Sequence, residues 1–228
     1  ITASTGNPSP IPPERLGAWW RASGVAPSRV AADYYRFQLL TGCRGGEIHG
    51  NKRHGYEPIK VGDVDCQGGK LVLRDTKNRS DHKLLLSRQA LEIAQRYCTG
   101  RTAEDPLFPI VDARKTLAWI NARAETSVQG HGLRATFASI AEELVSGGSL
   151  KRMLNHAAGG DVTLGHYVGK SETQLRAAWQ TVADFIEVSA AVEADPMPLP
   201  SVRKSGQQSR RRRTNASSPV RTAAVAAH

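Results

Sequence analysis

The chain has little cysteine, no long apolar run and no common device for cradling nucleotides or metals. Its three cysteines, Cys43, Cys66 and Cys98, are odd in number and widely spaced, with no CxxC pair. Neither a disulfide framework nor a zinc site is suggested, and a reducing, intracellular setting fits best. No stretch is long and apolar enough to span a membrane, and no secretory signal opens the chain. There is no GxxxxGK[ST] loop to hold phosphates and no clustered carboxylates for a two-metal site. Internal repeats are absent as well. Acidic residues are missing from one whole region. Residues 196–228 carry seven basic side chains, four of them the block Arg210, Arg211, Arg212 and Arg213, and no Asp or Glu. The net charge of +10 therefore falls to +3 over residues 1–195. The body is only mildly basic, and the charge alone points to a polyanion-binding tail rather than to a nucleic-acid enzyme. A solubilising end and a DNA-contacting one remain equal readings of that tail.

What is present suggests one sizeable domain with tails in 228 residues. Residues 1–13 hold four prolines and no charge and read as a linker. Residues 14–195 read as the folded domain, and 196–228 as a basic, poorly ordered tail. The chain opens with Ile1 rather than Met, so the expectation is a fragment whose N-terminal neighbour joins through the linker. Helical spacing of apolar residues predicts helices from Pro12, from about Ser28 to Leu40, and from a Ser87 cap to about Cys98. Further helices are expected from an Asp112 cap, around Phe137 to Leu144, from a Ser149 cap, over Asp161 to Val168, and over Glu172 to Val192. Between them the period changes. Val61, Val64 and Cys66, then Leu71-Val72-Leu73, then Leu84-Leu85-Leu86 read as three strands separated by Gly68-Gly69 and by the polar segment Asp75 to His82. The expected fold class is mostly α with a small three-stranded antiparallel sheet.

Singly, the polar residues say little. Arg44 follows a glycine turn and could be an ordinary surface arginine. Lys77 falls in a hairpin loop, where a solvated lysine is usual. His131 and Arg134 are three apart on one helix face, where a capping or core histidine is the plain reading. His156 follows a short helix, and Tyr167, beside His166, could be a core tyrosine.

Their order is more telling. Leu40-Thr41-Gly42-Cys43-Arg44-Gly45-Gly46-Glu47 resembles the first arginine motif of the tyrosine recombinases, the phage-integrase family. Thr76-Lys77-Asn78 sits in a hairpin, as that family's lysine does, and Leu107-Phe108-Pro109 resembles a structural marker between sheet and later helices. His131-Gly132-Leu133-Arg134-Ala135-Thr136-Phe137-Ala138 resembles its histidine-x-leucine-arginine box. Leu154-Asn155-His156 resembles the leucine-glycine-histidine box, with Tyr167 eleven residues further on where the nucleophile is expected. Asn155 stands where the family usually has glycine, and Ala135 where it often has a second histidine. The resemblance covers residues 30–185.

The resemblance implies the tyrosine-recombinase catalytic-domain fold and a site of Arg44, Lys77, His131, Arg134, His156 and Tyr167. Attack on a phosphodiester builds charge on the non-bridging oxygens, which two arginines can hold bidentately without titrating. His131 and His156 would add hydrogen bonds, and one could take the tyrosine proton. Tyr167 would attack to give a 3′-phosphotyrosyl intermediate, and Lys77 would protonate the departing 5′ oxygen. Glu47 would orient a basic residue. The covalent intermediate keeps the energy of the broken bond, so neither ATP nor a metal is expected. The implied partner is double-stranded DNA carrying recombination sites, with a homotetramer on synapsed DNA, a monomer without it, and no membrane. The implied source is prokaryotic or phage-encoded and intracellular. A type IB topoisomerase-like enzyme and a non-catalytic DNA-binding protein stay open as alternatives. Leu175, Ala178, Trp179, Val182, Phe185 and Ile186 form a wide apolar stripe that either packs on its own core or docks onto a neighbouring protomer when DNA is bound.

Overall fold

The computed structural model describes residues 9–51, 55–74, 81–155 and 171–191, all within one compact unit, Ile1–Pro198. The calls made on Lys77, His156, Tyr167, the helix over Asp161 to Val168 and the tail arginines Arg210 to Arg213 lie outside the described residues.

A 3-10 turn, Pro13–Arg15, leads into α1, Leu16–Gly24. Proline suits this first turn, where the backbone N–H has no helical partner. Ahead of it, Ile11 is buried and its N–H donates to Thr136 Oγ1 at 2.8 Å, so this part of the expected linker is packed against the domain. Helix α2, Arg29–Thr41, follows. It ends where Gly42 takes a left-handed conformation, φ 70°, and its N–H closes on the Gln38 carbonyl. A side chain here would be strained by φ alone, and a Cβ would also lie 2.5 Å from the Phe137 ring. The short α3 spans Gly45–His49.

Strands β1, Val64–Asp65, β2, Lys70–Leu73, and β3, His82–Leu85, form an antiparallel sheet in sequence order. β2 alternates, burying Leu71 and Leu73, as expected of a strand with one face on a core. The register pairs Leu71 with Leu84 and Leu73 with His82.

Helix α4, Arg88–Cys98, starts at Ser87, whose side chain accepts from the Ala90 N–H. Helix α5, Arg114–Ala124, departs from the expected cap: its N-cap is Ala113. Asp112 instead accepts from the Arg114 N–H two residues on, at 2.9 Å, a turn of its own. Helix α6, Gly130–Leu144, ends as Val145 becomes extended. Helix α7, Gly147–Met153, is capped by Ser146, which accepts from the Ser149 N–H. Ser149 is therefore inside the helix, and Gly147-Gly148 open α7 rather than closing α6, because Ser146 is the serine placed to reach an N3 amide.

Helix α8, Glu172–Ala191, packs on α1 and α6 of its own chain. Leu175, Ala178, Trp179, Val182 and Ile186 are buried there, and Phe185 is exposed. In this single DNA-free chain the stripe packs on its own core, the first of its two readings. Gly17 makes the approach possible: a Cβ on it would collide with the Ser189 carbonyl of α8.

Helices α2 and α4 are tied through a buried carboxylate. Asp33, 0% exposed, accepts from Arg29 Nε at 3.1 Å, Arg96 at 2.7 Å and the Tyr97 hydroxyl at 2.9 Å. With this many donors the charge is compensated where it lies.

Candidate active site

Three segments that are far apart in sequence meet below α3 and α6: the α2–α3 connection, the start of α6 and the end of α7. Arg134, in the second turn of α6, joins them. One guanidinium nitrogen donates to the Gly42 carbonyl at 2.6 Å and another to the Leu154 carbonyl at 2.7 Å. The side chain is buried, and burial, followed by the charge of Arg44, presses its pKa down. A guanidinium starts so high that it remains protonated at neutral pH. The charge of Arg44 is thus felt at Arg134, and two positive guanidiniums share one partly buried neighbourhood, an arrangement suited to a bound anion.

Arg44 is the N-cap residue of α3, and Glu47 fixes it twice. One carboxylate oxygen accepts from the Arg44 backbone N–H at 2.7 Å and the other from its guanidinium at 2.8 Å. The first bond satisfies an amide at the helix start, and the second sets the direction of the side chain. Glu47 thus holds both the backbone and the side chain of Arg44. Arg44 keeps 28% of its side chain exposed.

His131 is exposed on α6 at three residues from Arg134. It is neither a core residue nor the cap, since the N-cap is Gln129. Cys43, between Gly42 and Arg44, is fully buried and its thiol is pushed up to about 12, by burial first and by Glu47 second. It is an inert packing group. A groove of about 460 Å³ opens beside Glu47, bordered by Tyr56, Ile59, Lys60, Leu73 and Arg74. Among the described residues no cluster of side chains is arranged to hold a metal ion.

Two residues of this neighbourhood escape the sequence reading. Gln38 of α2 is buried beneath the α6 start and donates to the Gly130 carbonyl at 2.8 Å. His82, the first residue of β3, lies with Nε2 3.2 Å from the Met153 carbonyl. Its electrostatic neighbours are Glu47, Arg134 and Arg44, so it belongs to the same site. The side-chain hydrogen bonds described for both go to distant backbone carbonyls, and no local motif announces either.

Asn155 explains its own departure from the glycine of the resembling box. Its φ is 49°, the left-handed region that glycine enters freely and asparagine enters with less strain than most residues. Asn155→Gly is expected to keep thermal stability within about 1 kcal/mol of the parent, whereas Asn155→Val should lose about 1–2 kcal/mol. Thermal unfolding of the pair checks this; a larger loss for glycine would assign the asparagine side chain, not the backbone, the structural role.

No family model matches the chain, and no curated protein does. Solved structures do. The integrase from mycobacterium phage Brujita superposes with a TM-score of 0.55 at 16% identity, over 80% of this chain and 60% of that one. XerA recombinase gives 0.50 at 20% identity, over 78% and 65%. The Tn1549 transposon integrase, in complex with transposon right end DNA, gives 0.52 at 16% identity, over 80% and 69%. The chain thus spans under two thirds of the length of the first two. All three are tyrosine recombinases, and the fold of this chain is that of their catalytic domain.

Proposed function

We propose that a protein with this fold and this arginine pair is a site-specific DNA recombinase or integrase that cuts and rejoins strands through Tyr167. The observation that carries the reading is the pair Arg44 and Arg134: two guanidiniums whose charges act on one another, one braced by Glu47, the other by two backbone carbonyls. Such preorganised donors stabilise charge that develops on a phosphoryl group, at several kcal/mol for a well-placed pair. Exposed His131 adds a donor on the same helix face. Tyr167 is the nucleophile, His156 a further phosphate donor and Lys77 the acid for the leaving 5′ oxygen. A free tyrosine has a pKa of about 10, so proton transfer to a neighbouring base accompanies its attack. The 3′-phosphotyrosyl bond conserves the energy of the cleaved one, so ligation by the incoming strand needs neither ATP nor a metal. Arg210 to Arg213 contact DNA phosphates outside the cleavage site. Strand exchange between two duplexes takes four active sites, hence a tetramer on synapsed DNA.

The test is covalent capture. A nicked duplex that loses the short downstream fragment bearing the new 5′-hydroxyl on cleavage traps the intermediate. The expected result is a DNA-linked protein whose digested peptide carries the nucleotide on Tyr167. Binding without any adduct, on a library of duplexes, would leave a DNA-binding protein on this scaffold; an adduct on another side chain would remove Tyr167 from its role.

A further inference from the structure

We propose that His82 is a positioning residue of the phosphate clamp, acting by holding the end of α7 where Arg134 can grip it. This rests on the reading of the site as a strand-cleaving centre.

Helix α7 ends at Met153, and the last carbonyls of a helix have no intrahelical partner. Here two of them in succession are taken by donors from elsewhere in the chain. Met153 O faces His82 Nε2 at 3.2 Å, from 71 residues earlier, and Leu154 O accepts from Arg134 at 2.7 Å. A carbonyl oxygen can only accept, so the imidazole carries its hydrogen on Nε2. The backbone then turns sharply through the positive φ of Asn155. One side of this helix end is thus fixed by the sheet and the other by the clamp itself.

The coupling runs through Arg134. Its guanidinium has two anchors, Gly42 O and Leu154 O. The Gly42 anchor sits in a tight connection between α2 and α3 and is set by that turn. The Leu154 anchor is only as steady as the end of α7, and the neighbouring carbonyl is held by His82. Without that bond the helix end frays and one of the two anchors drifts, so the guanidinium loses its aim while its charge is kept.

Histidine suits this place better than a cation would. Burial holds its pKa below the ordinary histidine range, the Met153 bond and Glu47 pull the other way, and Arg134 and Arg44 push it down again. The ring is therefore a neutral donor at neutral pH. It makes its bond without adding a third positive charge that would compete with Arg44 for Glu47. A purely architectural role for a half-buried histidine is the alternative, and the two differ in what the donor does for cleavage.

The experiment compares His82→Leu, which keeps bulk and removes the donor, with His82→Gln, which restores an N–H at similar reach. Hydrogen exchange at the Leu154 and Asn155 amides reports the helix end, and both are bonded within it, to the Leu150 and Arg152 carbonyls. Single-turnover adduct formation on the nicked duplex reports the clamp, and DNA affinity is measured alongside. For His82→Leu the expectation is exchange about tenfold faster and cleavage about tenfold slower at unchanged affinity, the size of one lost hydrogen bond, with both recovered in His82→Gln. Parental exchange in His82→Leu overturns the proposal, as does equal impairment of both variants or faster exchange with parental cleavage. If the parent itself makes no adduct, the strand-cleaving reading fails separately and His82 loses its role in cleavage with it. The exchange comparison then decides whether the bond holds the helix end at all.

Discussion

Arg134→Ala is expected to lower the rate of covalent adduct formation by about 10²–10³-fold and to destabilise the fold by about 2–4 kcal/mol at the same time. The first figure is the usual cost of removing one preorganised donor from a developing oxyanion. The second arises because the Gly42 and Leu154 carbonyls lose their donors in a buried place, at about 1–3 kcal/mol each. Arg44→Ala should separate the two effects. Its side chain is partly exposed and its side-chain partner among the described residues is Glu47, so cleavage should fall by a similar factor while stability changes by no more than about 1 kcal/mol. Urea unfolding and single-turnover cleavage on the same preparations give both numbers. An Arg134→Ala protein as stable as the parent would show that the two carbonyl bonds contribute nothing net, and the account of how the clamp is held would go with them.

Trp179→Ala carries the largest expected loss of stability, about 3–5 kcal/mol, because it empties a large, fully packed site between α8 and the body. The indole Nε1 is buried and takes no partner among the described residues, so Trp179→Phe, which removes that donor and keeps most of the ring, should cost far less. Phe185→Ala, on the exposed side of the same helix, should change stability by less than about 1 kcal/mol. Denaturant midpoints for the three variants check the order. If Trp179→Ala were tolerated like Phe185→Ala, α8 would not be a core helix of its own domain.

The long helices and the hairpin were legible because apolar spacing reports burial directly. Ser87 was legible as a cap, and Gly42 as a stop, since each acts on neighbours within four residues. The clamp arginines could be named from local motifs, and the bond between Arg44 and Glu47 spans only three residues. Other features depend on partners that periodicity does not encode. His82 and Gln38 bond to carbonyls 71 and 92 residues away. Asp33 looks like a helix-surface acid until Arg96 and Tyr97 arrive from α4. Ser146 and Ser149 are both plausible caps by type, and the end of α6 decides between them. The stripe on α8 is equally apolar whichever surface it covers; what lets it lie against α1 here is the missing side chain at Gly17, on a different helix.

The two carbonyls that grip Arg134 come one from 92 residues before it and one from 20 residues after. Helix α6 can therefore wind on local bonds alone while its arginine is still unaimed. During synthesis the Gly42 anchor is available as soon as Arg134 has emerged, and the Leu154 anchor only when that later residue has emerged as well. A chain interrupted before Leu154 would contain both clamp arginines and yet hold Arg134 at a single point. The geometry delays the final aim of the Arg134 guanidinium until Leu154 is in place.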